Sequence, residues 1–320
     1  MSDTLRLGTR GSTLARIQTE HVVKRLGRVA PDLDVEVVEK ETSGDRFAEQ
    51  SIHKLSGKGF FTKDLDEAVR SGEIDAAVHS AKDVPTDDVP GLVTIAYLDR
   101  SSAADVLVTR AEEGGINQLP EGGSVGTSSL RRRAQLLSRR PDLDVRPIRG
   151  NVDTRLEKLF EREVVDALVL AEAGLARLGR TDVITARLTP SSFVSAPGQG
   201  AILLQCREAS GRLREALADV SDDACELAVT VERRIIEALE GGCRIPLGAY
   251  CEVHRDGPHR VHGMVASFDG DPVLTARTRF DAPEGAAEAA GRVVRELKKQ
   301  GAQELISSAR DYLREQSDTE

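Results

Sequence analysis

LRLGTRGSTLARIQTEHVVKRL, residues 5–26, changes its hydrophobic period once, and that change decides the fold class. Leu5 to Gly8 is a short β-type run. Ser12 then stands where a helix N-cap belongs, and Leu14, Ile17 and Leu26 recur at helical spacing in a segment that ends before Pro31. A strand feeding a helix through a tight polar turn is the repeating unit of an α/β fold. The unit recurs along the chain. Val35 to Val38 is a second strand, Thr62 caps a helix that stops at Gly72, and Asp75 to His79 and Leu92 to Ala96 are further strands. A second set begins at Asp105 (DVLVTR) and continues through Val125, a helix from Leu130, the run around Val145, a helix from Asp153, and Ala167 to Leu170. Ala201 to Gln205 is a β-run placed to return to the first sheet. This pattern predicts parallel sheets covered by helices in two α/β lobes, the first over residues 1–98 and 200–218 and the second over 104–194. The cleft between such lobes, near the carboxyl ends of strands, is where a ligand is expected.

Beyond about residue 220 the character changes. An amphipathic helix from Cys225 to Leu239 is followed by Gly241-Gly242, three short alternating strands and two polar helices, which predicts a C-terminal α+β domain over residues 221–320.

The chain has 320 residues, 39% hydrophobic and 30% charged, with no Trp, so its cores are built from Val, Leu, Ile and Ala. A net charge of −9 argues against nucleic acid or an anionic membrane as the main partner. The sum hides an uneven distribution: from Ser124 to Arg155 eight Arg face three Asp, a local +5, which leaves −14 on the other 288 residues. The segment MSDTLRLGTR has no apolar signal core, and no run approaches the roughly 18 apolar residues of a membrane span, so a cytoplasmic location is expected. Cys206, Cys225, Cys243 and Cys251 do not form a secreted disulfide framework and are expected as free thiols.

GTSSLRRR at 126–133 ends a strand and opens a helix. Thr127, Ser128 and Ser129 offer hydroxyls and backbone N–H groups at a helix N-terminus, and Arg131 and Arg132 fall in its first turn. Cations there oppose the helix dipole, which makes sense chiefly when an anion sits between them. RGNVDTR at 149–155 repeats the idea with Arg149 at a strand end and Arg155 near the start of the next helix; guanidinium forks suit carboxylates or phosphates. HSAKDVP at 79–85 places Lys82 and Asp83 just past a strand, either an acid/base centre or a plain surface ion pair. The stretch from Thr42 to Gly59 reads as a mobile active-site loop, and GKGFFTK at 57–63 lacks the spacing of a nucleotide phosphate loop. Cys251, His254, His259 and His262 have zinc-like spacing. A turn at Asp256-Gly257-Pro258 would set Cys251 opposite His262 and His254 opposite His259, on opposite faces, so no metal is expected. In LEGGCRIP at 239–246, Cys243 follows two glycines and precedes Arg244, the setting of a reactive thiol, whereas Cys206 and Cys225 read as small buried hydrophobes.

LGTRGSTLA (7–15), GKGFF (57–61), HSAKDVP, GTSSLRR, RGNVDTR, AGLARLG (173–179), GQGA (198–201) and EGGCRIP (240–246) together closely resemble the porphobilinogen deaminase (hydroxymethylbilane synthase) family, in its order and spacing over nearly the whole chain. The resemblance implies two lobes like those of type II periplasmic binding proteins and a third domain carrying Cys243. It implies a transferase that joins four porphobilinogens head to tail with loss of four ammonias, giving hydroxymethylbilane for tetrapyrrole synthesis. By the same resemblance, Cys243 holds a dipyrromethane cofactor in a thioether, and Asp83 is the catalytic acid. Lys82, Thr127, Ser129, Arg131, Arg132 and Arg155 lie on the cofactor side. Arg10, Ser12, Phe61, Arg149, Arg155 and Arg177 meet substrate or the growing chain, and Lys54 and Lys58 belong to a mobile lid. A monomer is implied, with no metal. The competing reading is a non-catalytic anion-binding protein with the same bilobal cleft.

Overall fold

The computed structural model describes residues 4–41, 62–86, 89–111, 114–240 and 245–318. The chain runs β1 (Thr4–Arg10), α1 (Thr13–Val29), β2 (Asp34–Lys40), α2 (Lys63–Ser71), β3 (Ala76–Ser80) and β4 (Leu92–Leu98), then crosses to β5 (Asp105–Thr109). There follow β6 (Ser124–Gly126), α3 (Leu130–Leu137), β7 (Asp144–Arg146), α4 (Val152–Phe160), β8 (Ala167–Ala171), α5 (Glu172–Arg177) and β9 (Ala186–Leu188). A second crossing leads to β10 (Ile202–Arg207) and α6 (Gly211–Ala218). The remainder is α7 (Asp223–Ala238), β11 (Leu247–Glu252), β12 (His259–Ala266), β13 (Val273–Phe280), α8 (Ala286–Lys299) and α9 (Ala302–Asp318).

Local chemistry sets the element ends. Ser12 caps α1 by accepting from the Ala15 N–H at 3.3 Å. Thr62 occupies the N-cap position of α2 without capping it: its hydroxyl is turned to the Asp66 carboxylate at 3.0 Å. Gly72 ends that helix in the left-handed region.

Two five-stranded sheets have the orders β2-β1-β3-β10-β4 and β7-β6-β8-β5-β9. Both are mixed, which corrects the expectation of parallel sheets. β1 runs parallel to β2 and β3, and β6 parallel to β7 and β8, but β10 and β5 are antiparallel to both of their neighbours. The reason lies in the crossings. Ile202, the first residue of β10, pairs with Ser80, the last of β3, and Asp105, the first of β5, pairs with Ala171, the last of β8. Each crossing delivers its strand at the edge where the lobe's central strand finishes, so the new strand must run back. Both carboxyl edges therefore face the crossings and the space between the lobes. Gly200 in the second crossing has φ +90°, and a Cβ there would lie 2.1 Å from the Ser102 carbonyl oxygen of the first; only glycine lets the two backbones touch.

Aliphatic side chains fill each lobe as composition requires, with Leu5, Leu7, Val22, Leu26, Ile202 and Leu204 in one core and Leu107, Val125, Leu136 and Val169 in another. The third unit is the antiparallel sheet β11-β12-β13 packed on α7, α8 and α9 through Ile235, Val261, Val293 and Ile306. Its register differs from the predicted one by a residue: Tyr250 faces His262 and Cys251 faces Val261. Residues 253–258 make a wider connection than a two-residue turn, and the His254 N–H donates to His259 Nδ1 at 3.1 Å within it. Among the described residues no group of three or more His, Cys, Asp or Glu could hold a metal ion, and no helix is long and apolar enough to cross a membrane.

Candidate functional site

β3 ends at Ser80, and a single 3-10 turn, Ala81–Asp83, carries Lys82 and Asp83 into the space between the lobes, both half-buried. The turn is held from behind. The Ala81 N–H donates to the Ala201 carbonyl at 3.0 Å, tying it to the second crossing, and Arg233 of α7 donates to the Val84 carbonyl at 3.1 Å, tying the following loop to the third domain. Burial pushes the Lys82 ammonium down to about 8; Asp83 and Asp105 pull it back, while Arg132 and Arg131 push it further down. On the strand itself, His79 is buried, its Nε2 has no partner among the described residues, and burial together with the charge of Arg10 pushes it down to about 4. It is therefore neutral at physiological pH.

Across the cleft, the N-terminus of α3 is built as the sequence reading expects. Thr127 Oγ1 accepts from the Ser129 N–H at 3.2 Å, Ser128 donates to the Ile148 carbonyl at 2.7 Å, and Ser129 caps the helix by accepting from the Arg132 N–H at 3.4 Å. Arg131 and Arg132 are 5% and 6% exposed and converge on one carboxylate, Asp105, the first residue of β5. Arg131 Nη1 lies 2.8 Å from Oδ2, and Arg132 donates from Nε at 2.9 Å and Nη2 at 2.7 Å to Oδ1. Gln199 Nε2 donates to the same Oδ1 at 3.0 Å. Burial opposes ionisation of Asp105, yet the two arginines outweigh it and hold its carboxyl down at about 2. One internal anion is thus shared by two guanidinium groups.

Arg155, in the first turn of α4, donates to the Gly150 carbonyl at 2.8 Å. Burial and the nearby charge of Arg132 push it down to about 10, and Asp83 opposes that. Arg155 of the second lobe is thus close enough to Asp83 of the first, and to Arg132, for their charges to act on it. Lys82, Arg131, Arg132 and Arg155 against Asp83 and Asp105 leave two positive charges in excess, in a chain that is negative overall.

The other expected site residues are placed more loosely around this group. Arg10 ends β1 beside His79, Ser12 is occupied as a cap, and Arg149 is half-buried with its carbonyl accepting from Lys158 at 3.1 Å. Arg177, at the end of α5, donates to the Gly200 carbonyl at 2.6 Å and the Asp99 carbonyl at 3.1 Å, so it grips both crossings. Phe61, Lys54, Lys58 and Cys243, with the loop expected from Thr42 to Gly59, lie outside the described residues.

Sequence reasoning missed Asp105, Gln199 and the pair Arg100–Glu232. Each left a trace. Asp105 opens a strand that runs on into apolar Val106, Leu107 and Val108, and Glu232 occupies the buried stripe of α7 with Cys225, Ala228, Val229, Ile235 and Ile236, where an unpartnered carboxylate is not tolerated.

Residues 5–215 match the family model described as porphobilinogen deaminase, dipyromethane cofactor binding domain, and residues 226–299 match that described as porphobilinogen deaminase, C-terminal domain. The porphobilinogen deaminase of Natranaerobius thermophilus is 43% identical over 270 residues, covering 84% of this chain and 86% of that protein. Those of Gloeobacter violaceus and Bacillus subtilis are 42% and 38% identical, covering 96% and 98% of this chain and 94% and 99% of theirs. Among solved structures, the periplasmic VFT2 domain of Bordetella pertussis BvgS aligns with a TM-score of 0.43 at 16% identity, covering 68% of this chain and 86% of that one. The periplasmic aliphatic sulphonate binding protein SsuA from Escherichia coli aligns with a TM-score of 0.39 at 16% identity, covering 75% and 71%.

Proposed function

The chain belongs to the porphobilinogen deaminase family, and we infer that it joins four porphobilinogens head to tail with release of four ammonias, giving hydroxymethylbilane for tetrapyrrole synthesis. The observation that carries this reading for the cleft is the meeting of Lys82 and Asp83 with Arg131, Arg132 and Arg155 at the facing edges of the two lobes. Each pyrrole of substrate and product carries an acetate and a propionate, so the ligand gains two carboxylates per addition. A half-buried cleft with surplus guanidinium and ammonium groups suits such a polyanion.

The same donor set fits the family's dipyrromethane cofactor, whose four carboxylates match Lys82, Arg131, Arg132 and Arg155, with the Ser129 and Thr127 hydroxyls beside them. When bound, the cofactor supplies the pyrrole carbon to which the first unit is joined. Cys243 is the proposed attachment point. In support of it, Cys206, Cys225 and Cys251 are all buried, and burial pushes each of their thiols up, Cys225 to about 12, which makes them poor nucleophiles.

Asp83 does the acid/base work. Its carboxyl gives a proton to the departing amino group, and its carboxylate then faces the cation left on the substrate and accepts the proton lost from the pyrrole carbon after coupling. Arg155, which serves both cofactor and substrate, orients the side-chain carboxylates of the reacting pyrrole against it, with Lys82 holding those of the cofactor. Arg10, Ser12, Arg149 and Arg177 serve substrate entry and chain movement, with Phe61 stacking on the pyrroles and Lys54 and Lys58 closing over them. The protein acts as a cytoplasmic monomer; unpaired thiols at Cys206, Cys225 and Cys251 support a reducing compartment, and light scattering tests the oligomeric state.

An intact mass spectrum is the direct test. Active protein should be heavier than its sequence by two pyrrole units and stain with Ehrlich's reagent; Cys243→Ser should be unmodified and Cys206→Ser modified. An unmodified mass in protein that consumes porphobilinogen overturns the cofactor assignment, and failure to consume porphobilinogen favours the anion-binding alternative.

A further inference from the structure

At the far end of α3 from the cleft, a cavity of about 270 Å³ opens between the second lobe and the third domain. Its walls are the last turn of α3, the segment 191–194, and the facing strands β12 and β13. Arg139, Arg277 and His262 line it together with hydroxyls of Ser138, Ser192 and Thr275, and no Asp or Glu does.

The two arginines are held by backbone alone. Arg139 donates to the Gln135 carbonyl at 2.7 Å and the Ser192 carbonyl at 2.5 Å, with its guanidinium 5.1 Å from the centre of the Phe193 ring. Arg277 donates to the Ser191 carbonyl at 3.0 Å. Neither has a carboxylate partner among the described residues. His262 is 6% exposed, and its buried Nδ1 has no hydrogen-bond partner among them. In a chain of net −9, this cavity gathers two exposed guanidinium groups that no carboxylate neutralises around one buried imidazole with an unpaired nitrogen.

Val194, Met264, Val273 and Ala276 supply an apolar floor, and Gln135, Ser191 and Gly263 complete the lining. Inorganic phosphate would leave that floor uncovered, whereas a carbon skeleton bearing a carboxylate meets both surfaces. The volume lies just under the range of about 300–1,000 Å³ for drug-sized ligands, which selects a small molecule. The site lies at the other end of α3 from the cleft: Arg131 is in the first turn of the helix and Arg139 is two residues past its last, Leu137, while the Val194 carbonyl between them accepts from Arg131 at 2.6 Å. We propose that this cavity is a binding site for a small organic carboxylate, seated between the guanidinium groups of Arg139 and Arg277.

The chain supplies its own reporter, since Met264, one of its two methionines, lines the cavity. Full-length holoenzyme carrying [methyl-¹³C]methionine is titrated with succinate and benzoate, and separately with inorganic phosphate and with chloride at matched ionic strength. The Met264 methyl resonance should shift saturably with a carboxylate. Arg277→Gln and Arg139→Gln should each weaken that response about tenfold, the loss of one charge-assisted contact, while porphobilinogen turnover stays at the parent level. No shift up to about 0.1 M carboxylate, an equal response to chloride, or an unchanged midpoint in both variants overturns the site, and tighter binding of phosphate overturns the carboxylate assignment.

Discussion

Asp83 and Lys82 are adjacent in sequence but are given different work by their surroundings. Asp83 acts on Arg155 across the cleft, while Lys82 feels the charges of Asp105, Arg131 and Arg132. Replacing Asp83 with Asn removes the proton without changing shape, so kcat for porphobilinogen consumption should fall by at least about 100-fold while the cofactor mass is retained. An unchanged kcat would remove Asp83 from the mechanism. Lys82 makes a pH-dependent prediction. Its ammonium is lowered to about 8, so it is charged below that pH and neutral above it, and its hold on the cofactor carboxylates should weaken as pH rises through 8. A fall in kcat on the alkaline limb is expected in the parent, and Lys82→Arg, charged throughout, should flatten that limb. The pair was legible in HSAKDVP because strand-end chemistry is local, but its partners were not, since Asp105 is more than twenty residues away and Arg155 more than seventy.

Elements decide what a residue can do. The first turn of α3 carries Arg131 and Arg132 against the helix dipole, and the sequence reading asked for an anion between them. The structure supplies one from the protein: Asp105, brought there because β5 starts at the carboxyl edge of the sheet where α3 begins. Asp105 fixes both side chains, so Asp105→Asn leaves two buried guanidinium groups without their counter-charge. Loss of a buried partner typically costs about 3–5 kcal/mol, which should appear in urea unfolding as a lower midpoint with unchanged slope, and cofactor loading should fall with it. Full stability in that variant would show that the pair is held by other contacts. The direction of β5 was not readable from its apolar run, because a buried strand has the same pattern in either orientation. The same limit applied to the hairpin of β11 and β12, where the register lies one residue from the predicted one, so that Cys251 and His262 fall on opposite faces of the sheet.

Across the whole molecule, one carboxylate ties the three units together. Glu232 of α7 accepts from Arg100 of the first crossing at 2.7 Å, from the Gly198 N–H of the second crossing at 2.8 Å, and from the Cys251 N–H of β11 at 2.8 Å. Arg100 in turn donates to the Gln199 carbonyl at 3.2 Å. Both inter-lobe crossings are thereby pinned to the third domain at a single buried point, close to Gln199, which also reaches Asp105. Glu232→Gln should cost about 3–5 kcal/mol by differential scanning calorimetry and raise hydrogen exchange at residues 99–104 and 195–200 before the sheets themselves open. An exchange pattern identical to the parent's would show that the crossings are held without it.

By itself the sequence determined the alternation of strands and helices and the cap at Ser12, because period, capping and turn chemistry act over a few residues. Only the tertiary structure decided that β5 and β10 run backwards, that Asp105 is the anion beneath Arg131 and Arg132, and that Glu232 fastens both crossings to the third domain. Those facts depend on which distant segments share a buried, low-dielectric space, where a charge must find a partner or not be there, and spacing along the chain does not encode that encounter.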